Sequence, residues 1–164
     1  MSLKVGDKAP DFTLPTDGGG SISLKGLKGK TVVLYFYPRD DTPGCTAEAC
    51  AFRDSYTVFA EAGAEVMGIS SDSIDSHRRF AEERHLPFLL LCDEHASVRR
   101  LYKVAPTLGF IPGRVTYVLD QAGIIRHIFS SQINATQHVK EALATISALG
   151  QGSEQEKPEP GSPV

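Results

Sequence analysis

The sequence lacks the long apolar run that a membrane-spanning helix needs. Hydrophobic residues make up 41% and charged residues 23% of the chain, which is ordinary for a globular protein. The first residues, MSLKVGDKAPDFTLPT, show neither a basic start followed by an apolar stretch nor the Arg- and Ser-rich character of a transit peptide. We therefore expect a cytoplasmic protein that does not enter a membrane.

The sequence also lacks a dense cluster of Lys or Arg and any internal repeat. A formal net charge of -3 offers no general attraction to phosphate backbones, so we expect no nucleic-acid partner. The length of 164 residues suits one domain. We assign that domain to residues 1–150 and predict that 151–164, rich in Pro, Gly, Ser and Glu, form a disordered tail, with Gly150 ending the last helix.

Apolar runs typical of strands alternate with helical patterns along the domain. The predicted strands are 31–37, 65–70, 88–92, 114–120 and 124–129, and the predicted helices are 46–62, 74–84, 97–102 and a last one before residue 150. A small hairpin is expected in DFTLPTDGGGSISL, near the amino terminus. Continuous apolar strands between helices indicate a sheet covered on both faces. The predicted fold class is α/β and thioredoxin-like, with a central mixed sheet flanked by helices and an N-terminal β-hairpin.

Cysteine is scarce, with three in the chain, and no C-x-x-C pair occurs. Two of the three lie in YPRDDTPGCTAEAC, where Cys45 comes at the predicted start of a helix. Free backbone N–H groups and the helix dipole favour an anion there, so the thiol becomes a nucleophilic thiolate more readily. Thr42 can bring a hydroxyl to the same pocket, Pro38 can shape it without adding a donor, and Glu48 can cap the helix or hold a cation.

This segment resembles the active-site motif P-x-x-x-T-x-x-C of the peroxiredoxins. YPRDDTPGCTAEACAFRD is similar to the form found in the peroxiredoxin Q, or bacterioferritin comigratory protein, class. The likeness continues through VGDKAPDFTLP, GISSDSIDSHRRFAEERHLPFLLLCDE and PGRVTYVLDQAGIIRHIF, and PGRVTYVLD is most similar to the cyanobacterial and chloroplast branch.

The resemblance implies a role for each matching residue. Cys45 would attack the peroxide O–O bond and become a sulfenic acid. Thr42 and the N–H groups of Gly44 and Cys45 would hold the peroxide oxygens, with Pro38 shaping the pocket. Arg114 would stabilise the thiolate and the charge that develops during the displacement. Without the resemblance, Arg114 reads as a surface arginine at a strand edge.

Cys50 matches the resolving cysteine of class members with a C-x-x-x-x-C spacing, which implies a Cys45–Cys50 disulfide within one chain and recycling by thioredoxin or a similar dithiol. On a regular helix the two Cα atoms are about 8.6 Å apart, whereas a disulfide needs about 4.4–6.8 Å. The first turns of the helix must therefore unwind for the bridge to form. An intrachain resolving cysteine needs no partner subunit, so we expect a monomer.

The remaining candidate ligands and nucleophiles are not expected to take part in the reaction. We interpret Cys92 as a residue packed at the end of a strand. A metal site of His85, Cys92 and His95 is an alternative without a complete tetrahedral set of ligands. The other three histidines are interpreted as solvated surface residues: His77, His127 and His138.

We predict a thiol-specific peroxidase for hydrogen peroxide and organic hydroperoxides, active in antioxidant defence. It would need no metal, haem, flavin or selenium. A disulfide oxidoreductase of the same fold, disfavoured by the missing C-x-x-C, is one alternative. A binding or chaperone-like module with a redox switch is the other.

Overall fold

The computed structural model describes residues 2–156, with side chains described for residues 2–150. The strands are β1 (Thr13–Pro15), β2 (Ser21–Ser23), β3 (Thr31–Phe36), β4 (Ala64–Ser70), β5 (Leu89–Cys92), β6 (Val115–Leu119) and β7 (Ile125–Ser130). The α-helices are α1 (Pro43–Asp54), α2 (Tyr56–Glu61), α3 (Ile74–Arg84), α4 (Ser97–Leu101) and α5 (Gln137–Glu156). None of these helices is long and apolar enough to cross a bilayer.

The main sheet has five strands in the order β5-β4-β3-β6-β7. The pairs β3–β4 and β4–β5 are parallel, whereas β3–β6 and β6–β7 are antiparallel. The N-terminal strands β1 and β2 form a separate antiparallel hairpin, which a bridge between Thr16 and Leu91 joins to the edge of the sheet. The predicted mixed α/β fold of thioredoxin-like type, with its N-terminal hairpin, is confirmed.

Both faces of the sheet are covered by packed side chains. One face packs against α1, α2, α3 and α5, through residues such as Phe52, Phe59 and Phe80. The other face packs against the N-terminal segment and α4, through residues such as Phe12 and Tyr102. Burial on both faces explains why the central strands are continuously apolar rather than alternating.

The helix predicted over 46–62 differs from the observed elements at its start and its middle. It begins earlier, at Pro43, because Thr42 is extended and a proline suits the first helical position, where no N–H is needed. It is also interrupted at Ser55, whose backbone (φ -100°, ψ 2°) leaves the α-helical region. The segment therefore forms two helices, α1 and α2.

Gly150 does not end the last helix, so that prediction is wrong. α5 continues to Glu156 because Gly150 keeps a negative φ and does not adopt the left-handed conformation of a helix stop. Residues 151–156, predicted as the start of a disordered tail, therefore have helical backbone. Residues 157–164 of that predicted tail lie outside the described residues.

Asp40 anchors the loop that joins β3 to α1. Its carboxylate accepts hydrogen bonds from Tyr37 Oη at 2.6 Å, Ser76 Oγ at 2.8 Å and His77 Nδ1 at 2.7 Å. Its backbone N–H donates to the Asp72 carboxylate at 2.8 Å. Because α1 begins three residues later, these contacts fix the point from which the helix starts.

His77 is fully buried, so its interpretation as a solvated surface residue is wrong. Its Nδ1 faces the Asp40 carboxylate, and its Nε2 lies 2.9 Å from the Leu91 carbonyl oxygen. Because both partners accept, both ring nitrogens carry protons and the ring is charged. Burial by itself lowers the pKa of His77, but the hydrogen bond and charge of Asp40 and the Leu91 carbonyl outweigh burial and raise it.

We expect His77→Gln to lower the free energy of unfolding by about 3 kcal/mol near pH 5.5, because it removes one member of a buried charged pair. The pKa of His77 is about 6.5 in the unfolded chain and higher in the folded one. The stabilisation is therefore complete below about pH 6.5 and is lost as the pH rises through the folded pKa. Urea unfolding of the parent and of His77→Gln at several pH values measures this stabilisation.

The difference in unfolding free energy between parent and His77→Gln must shrink toward pH 9. His95→Gln, at an exposed position, is the matched control and should show no such dependence. A difference that stays constant or grows with pH would contradict the charged pair.

Candidate active site

Cys45 lies in the first turn of α1, and its side chain is 1% exposed. The N–H groups of Gly44 and Cys45 belong to that first turn, so they have no partners within the helix. These N–H groups and the positive end of the helix dipole favour a negative charge on the sulfur. The helix starts earlier than predicted, but Cys45 keeps its place at the amino-terminal end.

Arg114, immediately before β6, is 5% exposed and directs its guanidinium at Cys45. Its Nη2 donates to Cys45 Sγ at 3.5 Å, its Nη1 to Glu48 Oε1 at 2.6 Å and its Nε to the Gln132 carbonyl at 3.1 Å. Gly44 makes room for this contact, since a Cβ there would lie 3.0 Å from Nη2. Burial lowers the pKa of Arg114, but Glu48 and Cys45 raise it above its usual value. The guanidinium is therefore a permanent cation beside the thiol, not a surface group.

Glu48 is fully buried on α1, three residues after Cys45. Its Oε1 accepts from Arg114, whereas its Oε2 has no hydrogen-bond partner. Burial raises the pKa of Glu48 to about 8, although the charge and hydrogen bond of Arg114 act to lower it. Of the two roles expected for Glu48, contact with a cation is the one observed.

His138, on α5, is also fully buried, which corrects its assignment to the solvated surface. Its Nε2 donates to the Ser131 carbonyl at 2.8 Å, and its Nδ1 accepts from Thr116 Oγ1 at 2.8 Å. Burial lowers the pKa of His138 to about 4 despite the Ser131 hydrogen bond, and the charge of Arg114 adds to the lowering. The neutral ring of His138 therefore packs beside Glu48, with His138 Nδ1 3.7 Å from Glu48 Oε2.

Arg99, on α4, holds together the two segments that carry the site. Its Nη1 donates to the Gly113 carbonyl at 2.7 Å, and its Nη2 donates to the Tyr37 carbonyl at 2.6 Å. Its own backbone N–H donates to the Asp93 carboxylate at 2.9 Å, which fixes the start of α4. Because Gly113 directly precedes Arg114, this bridge sets the distance between the end of β3 and the guanidinium.

Thr42 and Pro38 lie half-buried on the loop between β3 and α1. The Thr42 hydroxyl donates to the Arg39 carbonyl at 2.9 Å, which leaves its oxygen lone pairs free to accept a hydrogen bond. Pro38 adds no backbone donor to the pocket. Both residues lie on the segment that leads to the thiol.

Cys50 is half-buried on the same helix as Cys45, and all three cysteines are free thiols. α1 runs without a break from Pro43 to Asp54, so both thiols sit on continuous helix. The geometric constraint derived from the sequence therefore applies to this structure: the helix must open before the two sulfurs can bond.

Cys92 is buried at the end of β5, and its Sγ donates to the Asp72 carbonyl at 3.1 Å. Burial raises the pKa of its thiol, with nearby acidic residues adding to the effect. A buried thiol with a raised pKa is typical of a structural cysteine and not of a nucleophile.

The alternative metal site does not assemble. Among the side chains described, those of residues 2–150, the potential ligands that converge in a group of three are Asp40, Asp72 and His77 rather than His85, Cys92 and His95. The converging groups are already engaged with one another and with neighbouring hydroxyls and amides.

Reasoning from the sequence missed Arg99, Asp40 and the two buried histidines. The histidines left a detectable signal, because His77 and His138 each lie on the apolar stripe of their helix. Arg99 and Asp40 left none, since the partners that bury them, such as the Tyr37 and Gly113 carbonyls of Arg99 and the His77 ring of Asp40, are distant in sequence. His127 is partly exposed, as expected, with Nε2 3.0 Å from Glu141.

Comparison with known proteins agrees with this geometry. The AhpC/TSA family model matches residues 5–128. Chloroplastic peroxiredoxin Q of Triticum aestivum is 50% identical over 148 residues, which cover 90% of this chain and 68% of the relative.

Two solved structures show the same similarity. Peroxidoxin BcpB from Mycobacterium tuberculosis is 39% identical with a TM-score of 0.83, covering 90% of this chain and 98% of that one. The bacterioferritin comigratory protein of Xanthomonas campestris is 28% identical with a TM-score of 0.79, covering 85% and 92%. With a buried thiol at a helix start and an arginine beside it, the chain belongs to the AhpC/TSA family and, within it, to the peroxiredoxin Q thiol peroxidases.

Proposed function

We propose that Cys45 is the nucleophile of this peroxidase. The observation that carries the proposal is the buried sulfur, 3.5 Å from the Arg114 guanidinium at the start of a helix. Attack on the O–O bond produces a sulfenic acid on Cys45 and an oxide leaving group. Arg114 and the free N–H groups of Gly44 and Cys45 meet the charge that develops on the oxygens.

Thr42 and Pro38 complete the proposed pocket. The free lone pairs of Thr42 can accept the hydroperoxide O–H, which orients the peroxide for attack in line with the sulfur. Pro38 excludes water without competing for the substrate. No metal, haem or flavin is needed for this step.

The proposed substrates are hydrogen peroxide and organic hydroperoxides. The structural neighbour from Xanthomonas campestris has alkyl peroxide reduction activity. In this chain, Phe110 and Ile133 are 77% and 90% exposed on two loops joined by a 2.8 Å hydrogen bond between Thr107 and Gln132. The Gln132 carbonyl also accepts a hydrogen bond from Arg114, so these loops are linked to the site, and their exposed apolar side chains suit an alkyl group.

Cys50 is proposed as the resolving cysteine, and thioredoxin or a similar dithiol as the reductant. Because both cysteines lie on one chain, the cycle closes within a monomer. A cytoplasmic location stays a prediction. Peroxide consumption driven by a dithiol separates this function from a disulfide oxidoreductase and from a redox-switched binding module, because only the peroxidase turns over.

We expect Cys45→Ser to abolish peroxidase turnover, because a hydroxyl at this position is not ionised near neutral pH and cannot form a sulfenic acid. Thioredoxin-coupled consumption of hydrogen peroxide measures the loss. Cys92→Ser is the matched control and should turn over at the parental rate. Turnover by Cys45→Ser would refute the assignment of the nucleophile.

We expect Arg114→Ala to slow the reaction with peroxide by about 100-fold or more, the usual cost of removing a charged donor from a developing anion. The rate should fall much more than the stability. Competition with a haem peroxidase for limiting peroxide gives the rate constant, and circular dichroism verifies folding. Arg126→Ala, at a half-exposed position on β7, should react like the parent. A folded Arg114→Ala protein that reacts at the parental rate would contradict the role.

We expect Cys50→Ser to reduce one equivalent of peroxide and then stop, with Cys45 left as a sulfenic acid prone to overoxidation. In the parent, mass spectrometry should find the Cys45–Cys50 bridge within one chain, and hydrogen exchange should accelerate over residues 45–51 upon oxidation. A bridge to Cys92, or unchanged protection of these amides, would contradict local unwinding while leaving the peroxidase reaction in place.

A further inference from the structure

One buried cation serves two acids in this site. Arg114 contacts Cys45 Sγ through Nη2 and Glu48 Oε1 through Nη1. All three residues are at most 5% exposed. If the thiol and the carboxyl were both ionised, the site would hold an uncompensated negative charge away from water, which is strongly unfavourable.

The surroundings of Glu48 favour its neutral form. Its Oε2 is buried without a hydrogen-bond donor, which is costly for a carboxylate oxygen. The Nδ1 of His138 cannot donate to it, because this nitrogen accepts the Thr116 hydroxyl while Nε2–H is committed to the Ser131 carbonyl.

The other ionisable groups around the site do not replace the missing donor. From β3, the Tyr35 phenol is neutral, because burial raises its pKa well above the usual value, and its Oη makes no hydrogen bond within the described residues. From α4, the charge of Cys45 acts to raise the pKa of Arg99, but the guanidinium of Arg99 already donates hydrogen bonds to two backbone carbonyls. Arg114 is therefore the cation for which Cys45 and Glu48 compete.

We propose that Cys45 and Glu48 share one proton and one negative charge across Arg114. In the reduced enzyme Cys45 is the thiolate and Glu48 the neutral acid. When Cys45 becomes a sulfenic acid, Glu48 loses its proton and becomes the partner of Arg114. This inference rests on the proposed role of Cys45 as nucleophile.

The step balances in atoms and charge. The thiolate of Cys45 forms the S–O bond and the peroxide O–O bond breaks. Sulfur is oxidised by two electrons, and the two peroxide oxygens are reduced, one in the sulfenic acid and one in the leaving oxide. The oxide takes up one proton to become water or an alcohol, and Glu48 releases one proton. The Cys50 thiol then attacks the sulfenic acid, the S–O bond breaks, and the hydroxide leaves with the Cys50 proton as water. Reduction of the resulting disulfide by a dithiol returns one proton to Cys50 and one to Glu48, so the reduced state is restored.

The ionisation behaviour of Glu48 supports this exchange. With a pKa of about 8, raised by burial, the carboxyl is neutral near pH 7. Once Cys45 has lost its charge, Glu48 is the remaining acid beside Arg114, whose charge and hydrogen bond act to lower the pKa of this carboxyl. Above about pH 8 it ionises in the reduced enzyme as well and competes with the thiolate for Arg114. The rate of peroxide reduction should therefore fall at alkaline pH.

Infrared difference spectroscopy tests the charge exchange directly, provided that the helix stays closed. The Cys50→Ser background meets this condition, since it halts at the Cys45 sulfenic acid and forms no bridge that would unwind α1 and expose Glu48. Addition of one equivalent of hydrogen peroxide should remove the carbonyl band of a protonated carboxyl and produce a carboxylate band.

Glu48→Gln in the same background assigns the bands, because the amide keeps the shape of the neutral acid but has no proton to lose. Both bands should be absent from its difference spectrum. Glu61→Gln, an exposed glutamate on α2, is the matched control and should leave both bands in place.

The pH profile provides a second readout that a purely structural role would not change. For proteins that retain Cys50, the rate constant of the parent should fall about 30-fold between pH 7 and pH 9.5, because the neutral fraction of a carboxyl falls about tenfold per pH unit above its pKa. The decline should be missing in Glu48→Gln and present in Glu61→Gln.

Two outcomes would overturn the proposal. One is a Cys45 sulfenic acid that forms without any loss of the carboxyl band. The other is an alkaline decline that persists in Glu48→Gln. In either case normal oxidation of Cys45 would leave the peroxidase function intact, whereas failure of Cys45 to oxidise at all would refute the function itself.

Discussion

The Arg114 guanidinium is the group on which the rest of the site depends. It is buried, it is held by a backbone carbonyl and a carboxyl, and it contacts the sulfur of Cys45. A buried cation of this kind is stable only when negative groups surround it, and it stabilises negative charge on those groups in return. The presence of Glu48 beside Cys45 follows from this requirement, because the arginine keeps a buried partner in every redox state of the thiol.

The scaffold around this cation fixes both segments that meet at the sulfur. Arg99 bridges the end of β3 to the residue before Arg114, using backbone carbonyls that no side-chain substitution can remove. Asp40 fixes the loop before α1, because its carboxylate bonds to the charged ring of His77 on α3. Both braces are buried and charge-assisted, which makes such hydrogen bonds stronger than neutral ones. The thiol is therefore positioned by the protein rather than by the substrate.

Helix α1 has to satisfy two opposing demands. Its first turn must be intact to hold Cys45 beside the arginine, yet in the proposed cycle the same turn opens so that Cys45 can reach Cys50. The stable part of the segment lies further along, where Phe52 stacks on Tyr35 with ring centroids 4.5 Å apart. Pro43 and Gly44 at the start contribute little to the stability of a helix interior. An opening confined to the first turns leaves the aromatic core in place.

Much of the fold could be predicted from the sequence, because the period of the apolar residues reports local structure. The strands, the N-terminal hairpin and α3 follow from such patterns, and the proline-containing loop between a strand and a helical pattern located Cys45 at a helix start. Such patterns do not predict helix boundaries that depend on backbone conformation alone, such as the break at Ser55 and the continuation of α5 through Gly150. They fail again where charged groups are buried, because a polar residue predicts exposure unless its partner is known. The sequence by itself thus determined the type of fold, and its resemblance to the peroxiredoxins pointed to Cys45 as the nucleophile that is proposed. Only the tertiary structure decided that Arg99, His77 and His138 lie inside and that Glu48 shares a cation with the thiol, because each depends on partners brought together by folding.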